Sequence, residues 1–439
     1  MESRGTNKMI LNKRVIFTTI IGFLIIFSFI FTSKAQIKNE QLLITGYTKN
    51  SETKEIVSYA HVRLNNTHTG VNSNGEGFFW MNIPGSNFND SLKITAIGFH
   101  SKTISIKEFL NSKKKEIYLE ETSYLLDDIT LSVPGATTIV KNALKRRTEI
   151  QSNAYSSTAY YRTAYRENGT FVRFLEAYID LLEDGKNFKG YLQPKIKELR
   201  KSKDFRRFKW KENSNYLISF LKGDYIKSNG NPIVQYPEFW NYEYIGSSKI
   251  DDQEVHIIKA VLGHSLPEET KEASEKYEMV FYIRSHDYSI ARLSYDFYWD
   301  INEFKGQQID SSLMLYRESV SVTTVYEQKN EINYLSYQTR IGKWILKELD
   351  TKEILAEIEV NDELIVDQLN TKVTKGEQRL FTYSLLDANS DIYDKRIKYN
   401  KDFWEKENHL AQTDFYKQII ADIETQEANM FNYGKNSKE

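Results

Sequence analysis

Ser58-Tyr59-Ala60-His61-Val62-Arg63-Leu64-Asn65 alternates, with Ala60, Val62 and Leu64 on one face of an expected strand and Tyr59, His61 and Arg63 on the other. Leu92, Ile94 and Ala96 repeat the pattern further on. Around these two segments short strands are expected at Leu42–Thr48, Gly77–Ile83, Thr103–Ile106 and Glu116–Leu119, with a brief one at Thr69–Asn72 and a last one at Asp128–Val133. Polar turns separate them roughly every ten residues, the rhythm of an all-β sandwich and not of alternating strands and helices. Asn74-Gly75 supplies the positive φ values of a hairpin turn, and Gly98 lets the chain bend as it leaves a strand. Asn72, Asn74 and Glu76 imitate part of a calcium loop, but one carboxylate is too few for a hard cation, so the segment reads as a turn.

Ile44-Thr45-Gly46-Tyr47, Ala60-His61-Val62, Thr69-Gly70-Val71, Asn74-Gly75-Glu76-Gly77-Phe78, Ile83-Pro84 and Ile97-Gly98-Phe99 stand in the order and spacing of the carboxypeptidase regulatory-like family, which residues 37–133 resemble. Tyr124 to Leu131 is similar to the ending of that domain where it precedes outer-membrane receptor plugs. The resemblance implies a transthyretin-like β-sandwich and little about function, because such a sandwich serves many proteins.

Pro134-Gly135 breaks the pattern, and Ala136, Ile139, Val140, Ala143 and Leu144 then form the apolar stripe of a helix. Ser157–Arg166 and Thr170–Leu182 follow, joined by Asn168-Gly169, a strong hairpin signal. Further strands are expected at Glu254–Ala260, Tyr277–Arg284, Ile290–Trp299, Val320–Gln328, Ile332–Arg340, Trp344–Glu348 and Ile354–Val360. In Ile290–Trp299, Leu293, Tyr295, Phe297 and Trp299 share one face, and Arg292, Ser294 and Asp296 the other. With hairpin-length gaps and no Gly-rich strand-to-helix turn, residues 134–400 read as a curved antiparallel sheet. One helix leading into long strands resembles the open half-barrel of periplasmic lipoprotein carriers. Tyr160-Tyr161-Arg162 and Glu176-Ala177 are similar to a set of envelope proteins that carry the regulatory-like domain first. The fold class is therefore mainly β: a transthyretin-like sandwich, a curved antiparallel sheet and a few helices. Residues 401–439 read as a helical tail with Phe415, Tyr416, Ile419, Ile420 and Ile423 on one stripe, docked on the sheet or free to bind a partner.

Arg4, Lys8, Lys13 and Arg14 precede an apolar run from Val15 to Phe31 and then Ser33-Lys34-Ala35, an export signal over residues 1–35 with cleavage before Gln36. The alternative is an uncleaved inner-membrane anchor, since the run is at the lower limit for a bilayer span. Cleaved, the chain has 54 basic and 59 acidic residues, a balance that argues against nucleic acid. The expected location is the periplasm or the outer membrane. The absence of cysteine removes disulfides, thiolate metal sites, thiol nucleophiles and the lipidated cysteine of bacterial lipoproteins.

No catalytic centre emerges. None of the seven histidines has Glu three residues on, which a zinc carboxypeptidase requires. Gly263-His264-Ser265-Leu266-Pro267 imitates a nucleophile elbow but has Pro in place of its second glycine. The expectation is no enzyme, no cofactor and no metal.

Candidate ligand contacts are Tyr161 and Glu176, placed opposite each other if Asn168-Gly169 is a two-residue loop, as a hydrogen-bonded pair or as a groove contact. Tyr295 and Phe297 are candidates as the lining of an apolar groove, supported by 29 Tyr and 24 Phe. Arg206 and Arg207 lie in the run Lys195 to Lys211, where nine Lys/Arg meet only Glu198 and Asp204; it reads as a solvated face or as a site for lipid or lipopolysaccharide phosphates.

The leading functional expectation is a non-enzymatic envelope binding or assembly protein. In it the sandwich docks an envelope protein or outer-membrane receptor, and the sheet holds an apolar or amphipathic lipid or glycan ligand. The alternatives are a plug-like or signalling partner of an outer-membrane receptor, and a hydrolase. A transport barrel of about 22 strands does not fit in the roughly 300 residues after the sandwich.

Overall fold

A computed structural model describes residues 41–65, 70–122, 135–150, 154–185, 192–208, 216–224, 232–250, 253–263, 276–301, 306–329, 332–383, 392–394, 400–406 and 414–426. The export segment, Thr69, the strand expected at Asp128–Val133, the serine segment His264–Pro267 and the end of the basic run at Lys209 and Lys211 lie outside them. Internal contacts divide the chain into Met1–Ile44 with Asn82–Asn89, and Thr45–Met81 with Asp90–Glu439. Among the described residues the first unit holds the ends of two strands and the turn Gly85–Asn87; the cores and the cavity belong to the second.

The first described strands are β1 (Gln41–Asn50), β2 (His61–Leu64), β3 (Gly70–Asn72), β4 (Phe78–Pro84), β5 (Ser91–Thr95), β6 (Lys102–Ser105) and β7 (Glu116–Leu119), with helix α1 (Ile106–Asn111) before β7. They form the expected sandwich as a three-stranded sheet, β4-β1-β7, and a four-stranded sheet, β3-β2-β5-β6. Val62, Leu64, Leu92 and Ile94 are fully or almost fully buried, as their alternation requires. The turn chemistry at Asn74 differs from expectation. β3 and β4 belong to different sheets, so the link between them is not a hairpin. The Asn74 side-chain oxygen accepts from the backbone N–H of Glu76 and Phe78, both at 2.9 Å, and Gly77, not Gly75, takes the positive φ of 69°.

After α2 (Ala136–Ile150) come β8 (Tyr155–Glu167), β9 (Thr170–Glu183), β10 (Gln193–Lys201), α3 (Tyr216–Lys222) and α4 (Pro232–Gln235). Then follow β11 (Trp240–Ile250), β12 (Gln253–Leu262), β13 (Lys276–Arg284), β14 (Ile290–Tyr298), β15 (Gln307–Gln308), β16 (Leu313–Lys329), β17 (Ile332–Glu348) and β18 (Ile354–Asn370). The chain continues through α5 (Lys375–Tyr383), α6 (Lys401–Lys406) and α7 (Asp414–Gln426).

Strands β8 to β18 make one curved sheet in the order β10-β9-β8-β18-β17-β16-β14-β13-β12-β11, with β15 beside β16. Every pairing is antiparallel. The sheet stays open: its edges β10 and β11 are consecutive in the chain, and the segment between them carries α3 and α4.

Neighbours in sequence separate to the two faces of this sheet. Tyr161 and Leu364 join an inner core with Leu293, Tyr295, Phe297, Ile139 and Val140 of α2, and Leu217, Phe220 and Leu221 of α3. Tyr160 and Ile365 join an outer core with Phe78 and Trp80 of the sandwich, Phe174, Trp404 of α6, and Tyr416 and Ile419 of α7. The tail therefore docks on the sheet, as one of its two readings expected.

Two local expectations change. Ile332–Arg340 and Trp344–Glu348 are a single strand, β17, which runs through Gly342; a Cβ there would lie 2.1 Å from the Trp344 ring, so glycine makes room for the indole. Asn168 and Gly169 do form a two-residue turn, with φ of 47° and 84°. A bulge between Tyr165 and Arg166, with Val172 as the extra residue opposite, then shifts the register by one. Tyr161 faces Ala177, and Glu176 faces Arg162.

Candidate ligand-binding site

Tyr295 and Phe297 are 3% and 4% exposed, so the chain itself covers them. Their rings stack at 4.8 Å, and Tyr277 meets Phe297 edge-on at 4.3 Å. The Tyr295 hydroxyl donates to the Gly223 carbonyl at 2.9 Å, and Gln338 Nε2 donates to the Phe220 carbonyl at 2.8 Å. Tyr326 donates to Asp224 just beyond. Tyr295 thus satisfies a carbonyl that the end of α3 leaves without a helical partner, and Gln338 adds a second donor to the Phe220 carbonyl, which also accepts from the Gly223 N–H at 2.9 Å. Tyr161 is also inward, 5.5 Å from the Phe220 ring, and donates to Asp362 at 2.8 Å. Burial first and Asp362 second push its hydroxyl well above the ordinary value.

Glu176 lies on the opposite face, where it pairs with Arg200 and accepts from Tyr160, the neighbour of the expected partner. Arg200 also donates to the Tyr416 hydroxyl at 3.1 Å and sits 4.4 Å from the Trp404 ring. Burial is the largest single influence and opposes its charge, but Glu176, Tyr416 and Tyr160 together outweigh it and raise its pKa. Arg206 is buried against Asp204 at 2.8 Å. Burial would raise the Asp204 carboxyl, and the Arg206 hydrogen bonds reverse this and lower it. Arg207 is exposed over Phe208, while its backbone N–H donates to Glu167 at 3.0 Å. Lys195 and Lys197 stand on the edge strand β10, where lysine discourages pairing with another sheet edge. The six residues thus occupy an inner core, an outer core and the stretch after β10, and do not meet in one site.

The polar faces do meet. Tyr59, His61 and Arg63 of the sandwich approach the sheet near Arg292 and Glu327, enclosing a cavity of about 510 Å³. Among the described residues Glu327 is its one carboxylate. It accepts from Asn72 Nδ2 at 2.9 Å and from the Tyr334 hydroxyl at 2.9 Å, and its Oε2 is 3.1 Å from His61 Nε2. Burial first and Glu327 second raise the Tyr334 pKa, which keeps Tyr334 a donor. Asn72 Nδ2 also reaches Ser336 Oγ at 2.6 Å, tying sandwich to sheet. Against that carboxylate stand Arg63, Arg284, Arg292 and Lys329. Arg284 is held by Ser289 Oγ at 3.0 Å and the Tyr326 carbonyl at 3.0 Å. Arg292 lies 5.1 Å from the Tyr59 ring and 5.3 Å from the Tyr282 ring.

Such walls can hold a polar molecule by hydrogen bonds and charge. Among the described residues no group of three or more His, Asp or Glu is placed to hold a metal ion. None of the wall residues, Arg292, Glu327 and Lys329 included, is among the six candidates drawn from the sequence. A partial signal existed, because Tyr59, His61 and Arg63 share one alternating face and Arg292, Ser294 and Asp296 another; which two faces meet is decided only by tertiary packing.

Residues 44–131 match the CarboxypepD_reg-like domain family. Among curated proteins none matches the chain. Among solved structures the chain is similar to a DUF1329 family protein from Desulfovibrio piger, at 10% identity over 55% of this chain and 95% of that one, with a TM-score of 0.26. It is also similar to MucB, at 10% identity over 58% and 99%, with a TM-score of 0.18. A protein of unknown function from Bacteroides fragilis matches at 9% identity over 75% and 98%, with a TM-score of 0.15. Scores this low leave the role of the chain to be argued from its own residues. No described helix is long and apolar enough to cross a membrane, which says nothing of strands.

Proposed function

We propose that the chain is a non-enzymatic binding protein of the cell envelope and that its ligand space is the cavity between the regulatory-like sandwich and the curved sheet. The observation that carries this reading is the contrast between the two faces of the sheet. The aromatic face is filled by the chain's own α2 and α3, whereas the opposite face retains about 510 Å³ lined by hydrogen-bonding side chains together with apolar ones such as Ile97, Phe99 and Ile250. That volume lies within the range of small-molecule sites. The apolar ligand expected from Tyr295 and Phe297 is thereby replaced by a polar one. Export is supported by the apolar run from Val15 to Phe31 and the Ser33-Lys34-Ala35 site. A binding role, not catalysis, is supported by Glu327, whose carboxylate already accepts from Asn72 and Tyr334 and has the His61 ring beside it.

The test is to purify the full chain from envelope membranes and analyse the bound small molecules by mass spectrometry. A stoichiometric polar molecule is the expected result. Lipid alone, in stoichiometric amount, would overturn the cavity assignment in favour of the aromatic face.

A further inference from the structure

We propose that the cavity receives an oxyanion, the carboxylate, sulfate or phosphate group of a small ligand, on the guanidinium of Arg292. This rests on the reading of the cavity as ligand space and adds the chemical class of what enters it.

Three other arginines of the sheet, Arg162 and Arg200 buried and Arg340 half-buried like Arg292, are each given a carboxylate. Arg162 lies 2.7 Å from Glu363, Arg340 lies 2.7 Å from Asp362, and Arg200 pairs with Glu176. Arg292 is different. Among the described residues no carboxylate pairs with it; its Nε reaches Ser294 Oγ at 3.3 Å, and its guanidinium carbon lies within cation–π distance of two aromatic rings. Tyr282 is its direct cross-strand partner on β13, and Tyr59 comes from the sandwich. Tyr59 takes a positive φ of 62°, uncommon for an aromatic residue and maintained only where packing dictates it. Cation–π contact fixes the guanidinium without neutralising it.

Among the described residues the rest of the wall does not supply the missing charge. Glu327 is engaged by Asn72, Tyr334 and His61. Lys329, on the same strand as Glu327, also has no ion pair among the described residues, so a second cation faces the space. A planar guanidinium whose terminal Nη edge stays open once Nε is engaged by Ser294 matches carboxylate, sulfate and phosphate in size and geometry. In a walled cavity it is less screened than on an open surface.

The test is calorimetric titration of the full mature chain with galacturonate, galactose, sulfate and inorganic phosphate, for wild type, Arg292→Gln and Arg292→Lys. The expected result is binding of at least one anionic probe, with affinity reduced at least tenfold in Arg292→Gln and by less in Arg292→Lys, which keeps the charge but loses the fork. Galacturonate bound at least tenfold more tightly than galactose assigns the carboxylate of an acidic sugar; sulfate or phosphate bound without galacturonate assigns an inorganic or ester anion. Galactose bound as tightly as galacturonate, and equally by Arg292→Gln, overturns the oxyanion and leaves the cavity as a ligand site. No binding of any anionic probe at millimolar concentration also overturns it. Failure of the cavity reading itself would appear separately, as stoichiometric lipid on the purified chain.

Discussion

The hydroxyl of Tyr295, in the middle of β14, donates to the carbonyl of Gly223 at the end of α3 across 2.9 Å. A residue that the sequence presents as groove lining thus anchors the helix that fills the groove. Removing only the hydroxyl, in Tyr295→Phe, leaves a buried carbonyl without its partner and should cost about 1–2 kcal/mol. Tyr295→Ala also deletes the ring and should cost about 3–5 kcal/mol. Urea midpoints read both. If neither variant shifts the midpoint, α3 does not depend on this face.

The ion pair of Glu176 and Arg200 sits beneath the tail helices, with Arg200 touching Tyr416 and Trp404. Glu176→Leu strands a buried guanidinium and should destabilise by about 3–5 kcal/mol, whereas the double change Glu176→Leu with Arg200→Met should recover most of the loss. Amide exchange in α7 should rise in the single variant. A single variant as stable as wild type would show that the pair is solvated.

Two glycines with positive φ should respond differently to alanine. At Gly77, φ is 69° and a Cβ would lie 2.8 Å from the Thr48 carbonyl oxygen, so Gly77→Ala combines backbone strain with a clash and should cost about 3 kcal/mol. At Gly169, φ is 84° but the space is open, so strain alone of about 1 kcal/mol is expected. Equal losses in thermal melts would contradict the crowding assigned to Gly77.

Burial holds the His256 imidazole below its ordinary value of 6.5, against the opposing pull of Glu254. A pKa depressed by folding means that the unfolded chain takes up the proton first. The stability this group contributes is therefore present above pH 6.5 and is lost as pH falls below it toward the folded value. Replacing the imidazole in His256→Gln should flatten the fall of stability with acid in that window relative to wild type. Parallel pH profiles of the two proteins would remove His256 from the account.

What could be read from the sequence was what is local. Alternation in Ser58–Asn65 and Ser91–Ile97 marks the sandwich because each strand shows its own two faces, and Asn168-Gly169 marks its turn because both residues take positive φ. β10 shows in the sequence only as a charge run because an edge strand carries lysine where an inner strand carries apolar residues. α3, Tyr-Leu-Ile-Ser-Phe-Leu-Lys, is only two turns long, too short for its one exposed edge at Ser219 and Lys222 to mark a stripe in the sequence. One bulge at Tyr165 displaced the Tyr161–Glu176 pairing, since a shift of one residue exchanges the faces. The candidate site was half legible: its two polar faces were visible strand by strand, but their meeting depends on the link between sandwich and sheet through Asn72, Glu327 and Ser336.

Native mass spectrometry of the full chain released from envelope membranes, wild type beside Ile97→Trp, tests the cavity most directly. Ile97 is a half-buried wall residue, and tryptophan there should occupy the space. The account predicts a small-molecule adduct on wild type that is absent from a folded Ile97→Trp. An adduct retained unchanged by Ile97→Trp, or found on neither protein, would contradict it.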